Sequence, residues 1–362
     1  MKQMYSGSQL FLILAGLFFA ALAFSLLVNS VFMRFATTLG LRENKVQPTR
    51  WSNASKPAFG GIGFFIVFLG AFSFYSALFP GHGGPLQPEL LGVLAATALG
   101  FLMGLADDAY NTQPLLKFGV QVACGVILIA TGSCIQVFDT MWANWLLTIV
   151  WTVGMMNSIN MLDNMDAITT TVSLFIVAGA IMVLHFQQRD ETVHMVICVG
   201  VLASLCGFLF FNWNPSRMFM GDTGSQFLGV FLAWIGVQCF WNPDPATGQP
   251  DALRQAFTAL IAFLLPIVDT TTVTINRISR GSSPFVGGKD HTTHHLGYAG
   301  LSDAQVAMVF AGLSAVNLLL GFVILRFIPV WEPMHSAIFA TYAVVVFLTL
   351  FILTRRTKAP IE

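Results

Sequence analysis

Charge is what this chain has least of. Of its 362 residues only 9% are Asp, Glu, Lys or Arg, against about 25% in ordinary soluble domains. That shortage excludes the surface of a water-soluble enzyme, and a formal net charge of zero removes any bulk attraction to nucleic acid. Cysteine is scarce too. Cys124, Cys134, Cys198, Cys206 and Cys239 have neither metal-ligand nor disulfide-framework spacing, so they read as small core residues. The first apolar run is too long for a cleaved leader and has no strong basic flank, so it is expected to be a retained span.

What remains is hydrophobic. Apolar residues make up 56% of the chain and mean hydropathy is +0.74. Runs of roughly 20 apolar residues cross a bilayer as helices. Such runs lie near Leu10–Phe32, Phe59–Phe79, Leu90–Leu105, Leu116–Thr131, Trp142–Ile159, Ile168–Phe186, Val193–Phe211, Gln226–Phe240, Phe257–Ile275, Ala304–Ile328 and His335–Leu353. The third, fourth and eighth are short. The expected fold is therefore all-α, a polytopic transmembrane helical bundle of about eleven spans that forms a single domain over residues 1–362. With loops alternating sides, all Lys and Arg but four (Lys2, Arg189, Arg254 and Arg326) fall on one side. Cytoplasmic loops carry the basic excess, which puts the N-terminus outside and the C-terminus in the cytoplasm.

The polar clusters share that cytoplasmic side, in loops near 34–57, 106–116, 160–167, 212–225 and 276–303. They include "GLADDAYNTQPLLK", "NMLDNMD", "FNWNPSRMFMGDTGSQ" and "NRISRGSSPFVGGKDHTTHHLGYAG". The outer connectors, "PGHGGPLQP" and "WNPDPATGQPD", read as proline- and glycine-rich turns. Acidic residues are costly in a membrane and usually mark a site. Asp107, Asp108, Asp163, Asp166 and Asp222 converging on one mouth need a cation. Mg²⁺ fits: it prefers oxygen and takes one or two carboxylates plus substrate phosphates.

Asn157, Asn160, Asp163 and Asp166 recur every third residue. On a regular helix that row winds by about 60° per step, so either only neighbours act together or the helix loosens near Asp163. The amides and carboxylates suit sugar hydroxyls or a base edge. Capping of the next span by Asp163 or Asp166 is the structural alternative. "MGDTGS" sets small residues around Asp222 at a helix start, where phosphate binds readily. The last inner loop offers Arg277 and Arg280 for phosphate and His291, His294 and His295 for hydrogen bonds or protons. A zinc site there lacks both cysteine and an HExxH motif. Asp269, behind Pro266, either contacts the site from behind or pairs within the bundle, the structural role being the preferred reading.

Taken in order, "KPAFGG", "GLADDAYN", "NSINMLDNMD", "NPSRMFMGDTGS" and the His-rich loop resemble the polyprenyl-phosphate N-acetylhexosamine-1-phosphate transferases, from roughly Asn53 to His295. The resemblance implies Mg²⁺-dependent transfer (Mn²⁺ being the alternative ion) of a sugar phosphate from a UDP-N-acetylhexosamine to undecaprenyl phosphate, releasing UMP. It also implies a multi-pass protein of the bacterial inner membrane that starts a lipid-linked envelope glycan, with the active site on the cytoplasmic face and a homodimer as the alternative to a single chain. Carried over, Asp107 and Asp108 are the aspartate pair at the acceptor phosphate and metal, with catalytic roles. Asn160, Asp163 and Asp166 are the donor-recognition row, and Asp222 is the metal ligand together with Asp108. Asn212 and Phe219 match an asparagine and a uracil-stacking phenylalanine. His294 and His295 match the His pair near the donor diphosphate, His294 with a catalytic part.

The chain departs from that pattern at three places. The family usually has glycine after each aspartate of the row, where this chain has Asn164 and Ala167. "HTTHH" has two residues before the His pair where one is common, which leaves His291 out of register. Lys56 receives no site role. The loop lacks the triple-His pattern of the muramoyl-pentapeptide branch, which favours a plain UDP-N-acetylhexosamine, by default N-acetylglucosamine. Single displacement and a covalent aspartyl route both remain open. The rival from another class is a cation-coupled transporter, but such proteins place acids near the midplane with repeated halves, and neither is seen here.

Overall fold

The structure is a computed structural model that describes residues 7–38, 51, 56–78, 87–186, 192–242, 251–284 and 287–357. Most of the 34–57 loop and both outer connectors, with Lys2, Arg42, Lys45, Arg50, Arg189 and Lys358, lie outside the described residues. Among the described residues every regular element is a helix. In order these are α1 (Gly7–Thr38), α2 (Gly60–Leu78), α3 (Pro88–Tyr110), α4 (Pro114–Ala130), α5 (Met141–Leu162), α6 (Ile168–Phe186) and α7 (Thr192–Asn212). Then follow α8 (Gly221–Ile235), α9 (Ala252–Ala262), α10 (Leu264–Ser279), α11 (Thr292–Tyr298), α12 (Asp303–Phe327) and α13 (Pro333–Arg356). Prolines open α3, α4 and α13, where a helix has no use for the missing N–H.

All eleven apolar runs fall on helices. Among the described residues, nine helices are long and apolar enough to cross a membrane, or ten if one bent pair counts as a span. The other run is α4, whose 17 residues reach about 25 Å at 1.5 Å each, short of the roughly 30 Å hydrocarbon core. The bent pair is α9 and α10, expected as one straight run and broken by 78° at Phe263. Pro266, the third residue of α10, explains the break. It cannot donate to a continuing helix, whereas in a new first turn its donor is not needed.

Three polar stretches expected as loops are helical. Asp107 and Asp108 belong to the last turn of α3, Asn160 to the last turn of α5, and Asp222 to the first turn of α8. The apolar runs end before the helices do, because the terminal turns are the ones that face polar surroundings. A seven-residue helix, α11, also stands within the His-rich loop.

Helix α8 is the axis of the bundle. It runs on through a π-helical turn to Trp241 and packs against α3, α5 and α2. Of its most apolar 18 residues 94% are buried, against 17% for α1 and 22% each for α12 and α13. Its core consists of Phe227, Phe231 and Trp234, the first two against Phe68, all fully enclosed. The site-bearing helix is therefore inside, and α1, α12 and α13 form the outer ring.

Candidate active site

One cavity of about 470 Å³ gathers the polar clusters, within the usual range for small-molecule sites. One wall comes from α4 and α5 with Lys117, Gln121, Asn157 and Asn160; the turn after α5 adds Asp163 and Asn164. Asp222 and Phe219 form a second wall, and Arg277 with His291 a third.

Asp222 is placed by backbone packing. Gly221 has φ +75°, and a Cβ there would lie 2.8 Å from Asp108 Oδ2, so only glycine serves. Gly104 of α3 lets that helix touch the Asp222 backbone, where a Cβ would sit 2.2 Å from its carbonyl oxygen. Asn160 Nδ2 then donates to Asp222 Oδ1 and to Ser225 Oγ, both at 2.8 Å. Asp107 and Asp222 lie within hydrogen-bond reach of each other. Lys117 Nζ is paired with Asp107 Oδ2 and stands 3.9 Å from Asp222 Oδ2. Asp107 Oδ1 accepts from the backbone N–H and hydroxyl of Thr112, at 2.8 and 2.7 Å.

The sequence places Asp108 with Asp222 at the metal; the structure gives it other work. Asp108 Oδ1 accepts the Asp222 N–H at 2.9 Å, and Oδ2 accepts the Thr223 N–H at 2.9 Å and its hydroxyl at 2.6 Å. Both oxygens thus cap the start of α8, satisfying donors that the helix leaves unpaired. Asp107 takes the place beside Asp222. Among the described residues no group of three or more His, Cys, Asp or Glu could hold a metal ion. Two adjacent carboxylates are nevertheless an all-oxygen donor set of the kind magnesium takes, completed by water and phosphate. Asp107 and Asp222 are the residues that could hold it.

The donor row divides as its geometry requires. Helix α5 ends at Leu162, so Asn160 faces Asp222 while Asp163 lines the cavity from the following turn. Asp166 reaches the cavity edge, but its oxygens accept from Ser216 N and Oγ at 2.9 and 2.7 Å and from Asn214 Nδ2 at 3.2 Å. Asn212 is equally engaged. Its Oδ1 accepts from Ala167 N and Thr170 Oγ1, and its Nδ2 donates to the Met218 carbonyl. Both hold the loop beneath Phe219 rather than offering free groups. Ala167 has φ +66°, a region that favours glycine, and its bond to Asn212 holds it there.

Phe219 is set by the "KPAFGG" segment. Its N–H donates to the Pro57 carbonyl and its own carbonyl accepts from Gly60 N. Lys56 Nζ lies 5.0 Å from the ring centroid, donates to Ser216 Oγ at 2.8 Å and sits 3.6 Å from Asp166. Lys56, given no role by the sequence, therefore braces the ring from outside the cavity.

Residues 90–240 match the family model described as glycosyl transferase family 4. A Bacillus subtilis protein named as a probable undecaprenyl-phosphate N-acetylglucosaminyl 1-phosphate transferase is 26% identical, over 81% of this chain and 79% of its own. A Mycobacterium leprae decaprenyl-phosphate N-acetylglucosaminephosphotransferase is 27% identical, over 82% and 81% respectively. A phospho-N-acetylmuramoyl-pentapeptide-transferase of Streptococcus uberis is 27% identical, over 69% and 77%. Over residues 90–240 the chain is similar to glycosyl transferase family 4.

In this chain the histidines are ordered differently from the expectation. His291, not His294 or His295, lines the cavity. Its Nδ1 lies 2.8 Å from Asp269 Oδ2; a carboxylate only accepts, so the ring proton sits on Nδ1 and Nε2 is left for a ligand. Asp269 thus reaches the site from behind, the alternative to a purely structural pairing. His294 is stacked under Trp51 at 4.7 Å. Burial, with His291 second, pushes its pKa down to about 3. His295 is lowered mainly by burial too, and its Nδ1 bonds Thr357 Oγ1 at 2.6 Å. The extra residue in "HTTHH" accounts for the shift in register.

Arg277 also differs. Its guanidinium forks onto Asp290, at 2.7 and 3.1 Å, and donates to the Pro284 carbonyl at 2.9 Å. It closes the 277–290 loop instead of waiting for phosphate. Burial pushes Asp290 up, but Arg277 outweighs it and holds the carboxyl below its ordinary value. Lys117 is the cation that sequence reasoning missed. The signal was the tight Asn111–Pro114 turn, with Asn111 at φ +51°, which folds the start of α4 back onto Asp107.

Proposed function

We propose that this chain transfers N-acetylglucosamine 1-phosphate from a UDP-sugar to undecaprenyl phosphate at the cytoplasmic face of a bacterial inner membrane, releasing UMP. The observation that carries the reading is the pairing of Asp107 and Asp222 beside Lys117 at the mouth of a cavity that also contains Phe219. Phosphoryl transfer asks a protein mainly for positioning and charge neutralisation, and this arrangement supplies both. The relatives, all named transferases, support the same chemistry.

In this mechanism Phe219 stacks on the uracil ring, held flat by Pro57 and Gly60 and backed by Lys56. The diphosphate lies toward Asp222. Mg²⁺ on Asp107 and Asp222 would supply Lewis-acid neutralisation of its charge. An oxygen of the lipid phosphate attacks the phosphorus attached to the sugar; that P–O bond forms as the bond to UMP breaks. With a second pKa near 6 the phosphate is already ionised at neutral pH, so Asp107 need not act as a base. Lys117 lies where charge develops and stabilises it. Asn160 fixes Asp222, and Asp163 with Asn157 faces the sugar side. His291, oriented through Nδ1 by Asp269, presents Nε2 to the substrate.

The test supplies purified protein with Mg²⁺, radiolabelled UDP-N-acetylhexosamines and undecaprenyl phosphate, and seeks a labelled product in chloroform. Label from UDP-N-acetylglucosamine in the organic phase is expected. A folded protein that yields none with any of these donors overturns the reading.

A further inference from the structure

Helix α11 has only seven residues, too few to hold its own place without tertiary ties. Its first turn supplies them through two adjacent threonines. Thr292 donates its N–H and hydroxyl to Asp269 Oδ1, at 2.9 and 2.6 Å. Thr293 turns the other way and donates its hydroxyl to Asn164 Oδ1, also at 2.6 Å. The first tie joins α11 to α10, its own wall of the cavity. The second crosses 129 residues of sequence to the turn after α5, which carries Asp163. Asn164 is pinned in turn, its Nδ2 donating to the Met161 carbonyl at 2.9 Å.

We propose that Asn164 and Thr293 form a strut across the cavity that sets His291 against Asp163, making both of them positioning residues for transfer. The proposal rests on the transferase reading for its kinetic consequence. Loss of the strut leaves α11 tied to α10 through Asp269, with His294 still beside the Asn164 backbone, so the helix stays and only the seating of its first turn against the α5 turn loosens. Nucleotide contacts at Phe219 lie on another wall and are untouched. Uracil stacking is kept while the diphosphate and sugar contacts loosen, so the loss falls more on turnover than on donor binding.

The experiment uses the full chain in detergent, with Asn164→Gly, Thr293→Val, the double variant and Thr293→Ser. Each single loss variant is expected to lower kcat by about 10- to 100-fold, the scale of a 1 Å misplacement, with a smaller rise in KM for UDP-N-acetylglucosamine because Phe219 still holds the base. The double variant should be no worse than the worse single, because bonded partners are not additive. Thr293→Ser keeps the hydroxyl and should restore turnover. Multiplying losses, or parent-like kcat in Thr293→Val, overturns the proposal. Should Asn164→Gly melt below the assay temperature, the Val–Ser contrast at Thr293 decides alone. If the parent protein turns over no UDP-sugar, the transferase reading fails by itself. The same cycle read as melting midpoints then still tests the strut: coupled midpoints support it and additive ones overturn it.

Discussion

Asn160 and Asp222, 62 residues apart in sequence, meet at 2.8 Å, with the amide donating to the carboxylate. The bond joins the last turn of α5 to the first turn of α8 and fixes which Asp222 oxygen remains for an ion. Asp222→Asn keeps the size of the side chain but removes its charge. Transfer is expected to fall at least about 100-fold, as when one preorganised electrostatic contact is lost, with expression and melting close to the parent protein. Initial rates in the chloroform assay check this, and near-normal turnover would remove Asp222 from the metal.

Phe219 lines the cavity together with Trp51 and Phe118. Phe219→Ala should raise KM for the UDP-sugar about tenfold, since stacking on a base is worth about 1–3 kcal/mol. Its kcat should change less. Steady-state kinetics over a range of UDP-sugar concentrations separate the two; an unchanged KM assigns the ring to packing.

Ala167 holds φ +66° while fully buried. A left-handed alanine costs roughly 1–2 kcal/mol, part of which glycine returns through the freer unfolded chain. Ala167→Gly is therefore expected to stabilise the protein by about 0.5–1 kcal/mol. A thermal melt in detergent reads the difference, and a lowered midpoint would contradict the backbone assignment.

His294 gives acid sensitivity of known sign. Its pKa falls from 6.5 unfolded to about 3 folded, so between those values the unfolded chain binds the extra proton. Stability contributed by its neutral form is complete above pH 6.5 and drains away as pH drops toward 3. Melting midpoints across that window should fall, and His294→Gln should flatten the slope. A midpoint that rises on acidification would refute the buried neutral ring.

Much of the fold was legible in the sequence because apolar runs long enough for a bilayer have few alternatives. Helix α6 begins and ends at Ile168 and Phe186, where its run does. The break at Phe263 was not legible, since Pro266 in an otherwise apolar run fits a kinked span as readily as a new helix. The site was legible as residue types on one side, not as partners. Asp107 and Asp108 are neighbours whose carboxylates part ways, one toward Asp222 and one onto the start of α8, and only the crossing of α3 and α8 decides which. His291 was left unassigned for the same kind of reason: its role follows from Asp269, twenty-two residues upstream and inside a different helix.

The burial of α8 has a consequence for how the protein sits in different lipids. A mismatch between helix length and bilayer thickness is met by tilting of whatever touches the acyl chains. In this bundle those are chiefly α1, α12 and α13, which act as a gasket around the Asp222 helix. Thickening or thinning the membrane thus rocks the rim and leaves the carboxylates at the hub in register.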